Sequence, residues 1–219
     1  MAEQFYLCGE KFLLHPFKGM LWIEQSILFV ADLHLGKATH FRKSGIAVPK
    51  EVRQSNFDKF TALLLDLNPS RVIILGDLFH SDCNTAWEDF VFVTKQFSEI
   101  SFELVVGNHD IMDETQYAYA KMKIHPEPYD LAPFSLSHHP IEVEDIPKDL
   151  FNLCGHIHPA VYLRGNGKQA MKLACFHFTE RQGILPAFGE FTGTAVMRTK
   201  RKDQVFVVSG DRVIEMLTT

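Results

Sequence analysis

Five short segments of this chain carry the side chains that bind divalent metal ions. Aspartate, neutral histidine and the asparagine amide suit borderline ions such as Mn²⁺, Fe²⁺, Zn²⁺ or Ni²⁺. The segments are Asp32-Leu33-His34, Gly76-Asp77, Gly107-Asn108-His109-Asp110, His138-His139-Pro140 and Gly155-His156-Ile157-His158. Six of the 11 histidines fall within them. The residue types predict a metal site that is assembled from distant parts of the chain.

Each segment follows an apolar stretch that is typical of a buried β-strand. These stretches are residues 28–30, 72–75, 104–106, 134–136 and 151–153. The ends of such strands meet at one edge of a sheet, where α/β proteins bind ligands. A single Gly-Asp or Gly-Asn-His-Asp is also a common turn sequence. The metal site is therefore favoured by the whole set, in which every segment follows a strand.

The order D-x-H, G-D, G-N-H-D, H, G-H-x-H resembles the calcineurin-like metallophosphoesterase superfamily over about residues 28–160. The resemblance implies an α/β fold, a four-layer α/β/β/α sandwich, as a single domain over residues 1–219. It also implies two divalent metal ions, and Mn²⁺ is the metal that we expect before Fe²⁺, Zn²⁺ or Ni²⁺. Two ions ~3.5–4 Å apart clamp both the attacking and the leaving oxygen of a phosphoryl transfer. We therefore expect phosphodiester hydrolysis by a metal-bound hydroxide.

The same resemblance assigns the metal ligands. Asp77 is implied to be the carboxylate that bridges the two ions. The remaining ligands form two sets, which are Asp32, His34 and His158 for one ion and Asn108, His138 and His156 for the other. His139 stays an alternative to His138, which we prefer because it directly follows the strand.

The resemblance gives His109 a catalytic role, in which it contacts the scissile phosphate and assists the leaving oxygen. A histidine near its ordinary pKa of ~6.5 is suited to proton transfer at neutral pH. Two interpretations of Asp110 stay open. It orients His109, or it caps the turn that follows.

A narrower resemblance comes from residues 31–38, which read ADLHLGKA, and from Gly76-Asp77-Leu78-Phe79-His80. Both are similar to SbcD-type repair nucleases and, more closely, to the DNA ligase-associated PdeM-type phosphoesterases. This resemblance implies a nuclease in DNA repair that acts on DNA or RNA. It also implies association with DNA ligase and helicase proteins. The alternative is a small-molecule phosphohydrolase that acts on nucleotides or sugar nucleotides.

Four residues are candidates for substrate binding. Lys37, Arg42 and Lys43 follow the first ligand pair and are expected to hold flanking phosphates, whereas a solvated helix start is the alternative. His80 is expected near the site without being a metal ligand. The net charge of −5 gives no global basic field that would attract a polyanion.

Composition limits the class of protein. At 219 residues and 46% hydrophobic content, a single α/β domain with a sizeable core is expected. No apolar run reaches the ~20 residues that span a membrane, and no signal peptide is visible, so we expect a cytoplasmic protein without a membrane partner. The four cysteines lack CxxC spacing and are expected to be reduced core thiols. We predict helices over residues 50–67 and 86–98, with mostly strands after Gly155.

Overall fold

The computed structural model describes residues 1–36, 51–79, 85–164, 169–190 and 192–218. Its first sheet begins as an antiparallel meander and continues as four parallel strands. In spatial order its strands are β1 (Glu3–Leu7), β2 (Glu10–Leu14), β3 (Met20–Trp22), β4 (Ile27–Val30), β5 (Arg71–Leu75), β6 (Ser101–Val105) and β7 (Lys123–His125). The meander comes directly before the first ligand segment in the chain.

The second sheet is formed by strands that follow β7 in the described part of the chain. Its strands are β8 (Tyr129–Leu131), β9 (Phe134–Leu136), β10 (Phe151–Cys154), β11 (Pro159–Arg164), β12 (Ala170–Phe178), β13 (Gln182–Ile184), β14 (Ala195–Val196), β15 (Gln204–Ser209) and β16 (Arg212–Met216). The order is β14-β11-β12-β13-β10-β9-β8, and β15 joins β12 to β16. Strands β9, β10 and β13 run parallel, so their carboxyl ends point the same way.

In the part of the chain that the structure describes, three helices accompany the sheets, α1 (Glu51–Leu67), α2 (Thr85–Gln96) and α3 (Glu114–Tyr119). Each contributes to one apolar core with the first sheet, through Phe60, Phe90 and Tyr117. Within the described ranges, no helix shares a core with the second sheet. The predicted α/β architecture with two packed sheets is confirmed. No helix in the described part of the chain is long and apolar enough to cross a lipid bilayer.

The alternation of side chains along β5 explains how the layers pack. Val72 and Ile74 face the helices, whereas Ile73 and Leu75 face the second sheet. A parallel strand that is buried on both faces needs such a continuous apolar run. The space between the sheets is filled by a Phe-rich cluster that includes Phe5, Phe12, Phe134, Phe176, Phe178 and Phe206.

The cysteines only partly match the expectation of core thiols. Cys154 and Cys175 are buried and free, but Cys8 is exposed on the turn between β1 and β2, so that part of the expectation was wrong. Burial raises the pKa of the Cys154 thiol well above its ordinary value. Cys154 therefore stays protonated in the core beneath the ligand segment that follows it. Cys83 lies outside the described residues.

Candidate metal centre

The ligand segments sit at the carboxyl ends of five strands, as the sequence indicated. Strands β4, β5 and β6 of the first sheet lead to Asp32, Asp77 and Asn108. Strands β9 and β10 of the second sheet lead to His138 and to His156. The two sheets are joined at this edge, because the backbone N–H of His156 donates to Oδ2 of Asp32 at 3.0 Å.

One candidate ligand set consists of Asp32, His34 and His158, whose donor atoms lie within 4.8 Å of one another. Nε2 of His158 lies 3.3 Å from Oδ1 of Asp32 and 3.4 Å from Nε2 of His34. Asp32 and His34 are buried, and His158 is partly buried. This set is the one that the resemblance assigned to the first ion.

The other set surrounds His138, whose side chain is fully buried. Its Nε2 lies 3.1 Å from Oδ1 of Asn108 and 3.0 Å from Nδ1 of His156. Asp77 lies between the two sets. Its Oδ1 is 3.4 Å from Nε2 of His138, and its Oδ2 is 3.6 Å from Nε2 of His34. Each carboxylate oxygen thus faces one set, which is compatible with the bridging role that the sequence resemblance implies.

Backbone carbonyls orient two of the imidazoles. Nδ1 of His138 lies 3.1 Å from the carbonyl oxygen of Leu75, and Nδ1 of His158 lies 2.9 Å from that of Gly193. A carbonyl oxygen only accepts, so Nδ1 must carry the proton in both rings. In the neutral rings this leaves the Nε2 lone pairs directed into the site. A hydrogen bond at the far nitrogen is the usual way in which proteins fix metal-binding histidines.

The electrostatics also fit a cation. Oδ1 of Asp32 is buried and accepts no hydrogen bond within the described part of the chain. Burial, followed by the nearby His138 and His139, lowers the pKa of His156, which favours its neutral form. Lone pairs from carboxylate, amide and imidazole groups therefore face one another, and too few N–H groups lie among them to form hydrogen bonds. A metal ion would resolve that repulsion, so these residues fit divalent ions.

Five of the seven candidate ligands have a left-handed backbone, which costs a residue other than glycine about 1–3 kcal/mol. Asp, Asn and His tolerate this region better than most residues. Such strain persists only where the surrounding structure imposes it. The φ angles are 54° at Asp32, 45° at His34, 52° at Asp77, 65° at His156 and 52° at His158.

Two glycines allow the ligands to approach one another. Gly76 has a φ of 73°, and a Cβ there would overlap the His138 side chain, lying 2.6 Å from the Cβ of that histidine. A Cβ at Gly155 would lie 2.6 Å from Oδ2 of Asp32. These distances are far below ordinary van der Waals contact. The glycines of the G-D and G-H-x-H motifs therefore make room for ligands from the neighbouring segments.

The two candidate catalytic residues, His109 and Asp110, differ in exposure and in the groups that they contact. The ring of His109 is partly exposed, and its centroid lies 5.7 Å from that of His34. The buried Asp110 accepts hydrogen bonds from the backbone N–H groups of Gly107, Asp77 and Leu78 at 2.8–2.9 Å. Asp110 thus ties the turn that carries His109 to the loop that carries Asp77. Burial, with the nearby Asp77 adding to it, raises the pKa of Asp110 to about 7 against these three donors.

Glu127 is a residue near the site that the motifs did not reveal. Its carboxylate accepts from the backbone N–H groups of His138 and His139 at 2.8 and 2.9 Å, and Nδ1 of His139 lies 2.7 Å away. Burial opposes ionisation, but the hydrogen bonds from His139 and the two backbone donors lower the pKa of Glu127. A ring nitrogen of His139 also lies within 4.8 Å of donor atoms of His138 and His156. The structure thus places both His138 and His139 beside His156, and the choice of His138 as the ligand stays a prediction.

A cleft of about 790 Å³ opens next to the centre. Val106, Ile124 and Pro126 give it an apolar part, and Glu114 and Glu127 give it acidic groups. Asn108, Gly107 and His139 connect it to the metal-binding residues. The four substrate-binding candidates Lys37, Arg42, Lys43 and His80 lie outside the described residues.

Comparison with known proteins shows the family to which the chain belongs. A search among curated proteins found no match. The crystal structure of Pseudomonas putida nuclease MPE is similar to this chain with a TM-score of 0.83 and 26% sequence identity, over 99% of this chain and 100% of that one. The model of the calcineurin-like phosphoesterase family matches residues 25–210. Since that match includes every candidate ligand, the chain belongs to the calcineurin-like phosphoesterase family and is a metal-dependent phosphoesterase.

Proposed function

We propose that this enzyme is a phosphodiesterase with two metal ions, with Mn²⁺ as the first candidate, and that it acts as a nuclease. The main observation in support is the position of Asp77, which has one carboxylate oxygen towards each ligand set. When bound, the ions would act as Lewis acids and lower the pKa of a water molecule. Its deprotonated form could then attack phosphorus. Asp32, His34 and His158 would hold one ion, and Asn108, His138 and His156 the other.

The remaining steps belong to the protein's own side chains. In this proposal Asp77 keeps the two ligand sets at a fixed separation, and Asp110 holds the turn that carries His109. The backbone N–H of His109 donates to Oδ1 of Asp77 at 3.0 Å, which fixes that turn against the bridging carboxylate. The His109 imidazole then donates a proton to the leaving oxygen, the role that the sequence resemblance implies.

Nucleic acid is the substrate class that we propose first. It is supported by the similarity to Pseudomonas putida nuclease MPE and by the motif resemblance to repair nucleases. A place in DNA repair, beside DNA ligase or helicase proteins, belongs to the same proposal. The competing proposal is a hydrolase of small nucleotides, and it is favoured by the acidic cleft and by the net charge of −5. Neither feature attracts a long polyanion.

The experiment is turnover of bis-p-nitrophenyl phosphate, p-nitrophenyl phosphate and single-stranded DNA by Mn²⁺-loaded protein. We expect the diester and the DNA to be cleaved and the monoester to be a poor substrate. Asp77→Asn should lose metal and activity together. Asp211→Asn makes the same change at a side chain that is 91% exposed and should lose neither. A protein that prefers the monoester, or an Asp77→Asn variant that keeps metal and rate, would contradict the proposal.

A further inference from the structure

The cleft beside the metal centre differs in chemistry from the centre itself. Its described lining contains the carboxylates Glu114 and Glu127 but neither lysine nor arginine. A second phosphate group would therefore be repelled from it. Its volume of about 790 Å³ lies within the range of small-molecule binding sites, and it has room for a nucleoside.

We propose that this cleft is a nucleobase subsite, which receives the base next to the scissile phosphodiester. The inference rests on the proposed function, because the phosphate must lie over the metal centre for the base to reach the cleft. Asn108 and His139 belong to the lining and also border the second ligand set. A base in the cleft is thus within one nucleotide of the reacting phosphorus.

The apolar part of the lining suits the flat faces of a base. Val106, Ile124 and Pro126 provide apolar surface on which a ring can pack. A base that packs against these side chains removes apolar surface from water, which favours its binding in the cleft.

The two carboxylates have different tasks. Glu127 already accepts hydrogen bonds from His138 and His139, so it holds the wall of the cleft. Glu114 lines the cleft from an exposed position at the start of α3. A carboxylate accepts from exocyclic amino groups, and the N4 amino group of cytosine is its usual partner. Glu114 should therefore favour cytosine over thymine, which has a carbonyl oxygen at that position.

The test compares three substrates with the same leaving group. They are methyl p-nitrophenyl phosphate and the p-nitrophenyl phosphodiesters of deoxycytidine and thymidine, each nucleoside joined through its 5′ or its 3′ oxygen. We expect at least one deoxycytidine ester to exceed the methyl ester about fivefold or more in kcat/KM, mainly through a lower KM. We expect kcat/KM for the deoxycytidine ester to be about fivefold or more above that for the thymidine ester.

Glu114→Gln should reduce the preference for cytidine over thymidine towards one and leave the methyl ester unchanged. Glu144→Gln removes the same charge at an exposed residue outside the cleft lining and should keep the preference. The subsite is overturned if the nucleoside esters have no higher kcat/KM than the methyl ester. It is also overturned if Glu114→Gln keeps the full preference for deoxycytidine over thymidine. Failure of the methyl ester to react would instead count against the proposed diesterase activity.

Direct titration with deoxycytidine decides the subsite without turnover. Wild-type protein should bind it more tightly than Glu114→Gln, and equal affinities or no binding overturn the subsite. A single-stranded oligodeoxycytidine distinguishes the two sources of the base. A Glu114→Gln defect in both the oligonucleotide and the mononucleotide ester assigns the subsite to a nucleic acid strand, and a defect in the ester alone assigns it to a free nucleotide.

Discussion

Replacing Gly76 by alanine should disable the metal centre, although glycine has no side chain that could bind an ion. Gly76 has a φ of 73°, and the new Cβ would lie 2.6 Å from the Cβ of His138, with ring atoms nearer still. The same imidazole is anchored by the Leu75 carbonyl, 3.1 Å from its Nδ1. The His138 side chain must therefore move, and its Nε2 moves with it.

The size of the effect follows from two terms. A left-handed backbone costs alanine about 1–2 kcal/mol, which is a loss of stability only. Reaching an ordinary contact of 3.4 Å from 2.6 Å displaces the Cβ of His138 by about 0.8 Å, and the nearer ring atoms must move at least as far. Metal–nitrogen distances tolerate only about 0.2 Å, so the displaced ring cannot bind in its normal position. We expect Mn²⁺ affinity at the His138 set to fall about 10- to 100-fold, and the rate to fall about 100-fold.

Gly210→Ala is the matched control. Gly210 also has a left-handed backbone, with a φ of 59°, but an added Cβ there meets no atom within 4 Å. Gly76→Ala should lose at least as much stability as Gly210→Ala in urea unfolding, because it adds a steric clash to the same backbone cost. Only Gly76→Ala should lose metal. Isothermal titration with Mn²⁺ and elemental analysis measure this difference. Wild-type affinity and stoichiometry in a folded Gly76→Ala protein would refute the placement of His138 as a ligand.

Three further predictions concern side chains around the centre and in the core. His109→Ala should keep its metal but lose about 10²- to 10⁴-fold in rate, with the smaller loss for p-nitrophenol leaving groups; an unchanged rate with DNA would reject its role. Glu127→Gln should weaken Mn²⁺ binding about 10-fold or more in titration, because one amide oxygen replaces a carboxylate that accepts three hydrogen bonds, and Glu144→Gln should not. Glu103 is buried, but its cationic partners lower its pKa from 4.5 to about 2, which corresponds to about 3 kcal/mol of stability. This stability should be complete above about pH 4.5 and lost as pH falls through about 2, so Glu103→Gln should flatten the pH dependence of urea unfolding; an unchanged slope would contradict it. The partners of Glu103 are Arg71, Lys123 and His125.

The two long helices could be predicted because apolar residues recur at helical spacing several times along each of them. The helix predicted at 50–67 is observed at Glu51–Leu67, and the one predicted at 86–98 is observed at Thr85–Gln96. The strands before the ligand segments were predicted within three residues at each end. Buried strands need continuous apolar runs, and the ligand types behind them indicated metal binding.

Other features had no sequence signal that could be recognised. Strands β7, β8 and β13 each span three residues, and α3 spans six, which is too short to show a period. Glu127 acts through contacts with residues 11 and 12 positions away, so no local motif marks it. The carbonyls of Leu75 and Gly193 orient imidazoles through backbone atoms, which every residue possesses. These features depend on how the two sheets meet, and a single sequence does not show that.

The division of the candidate ligands between the two sheets has a consequence for metal selectivity. The first sheet supplies Asp32, Asp77 and Asn108, together with one imidazole from His34. These are mainly oxygen donors, and alone they would suit hard ions such as Mg²⁺ or Ca²⁺. The second sheet supplies only nitrogen, from His138, His156 and His158. The preference for a borderline transition metal that we propose would thus not be a property of either half of the chain, and it would arise only when the sheets are packed together.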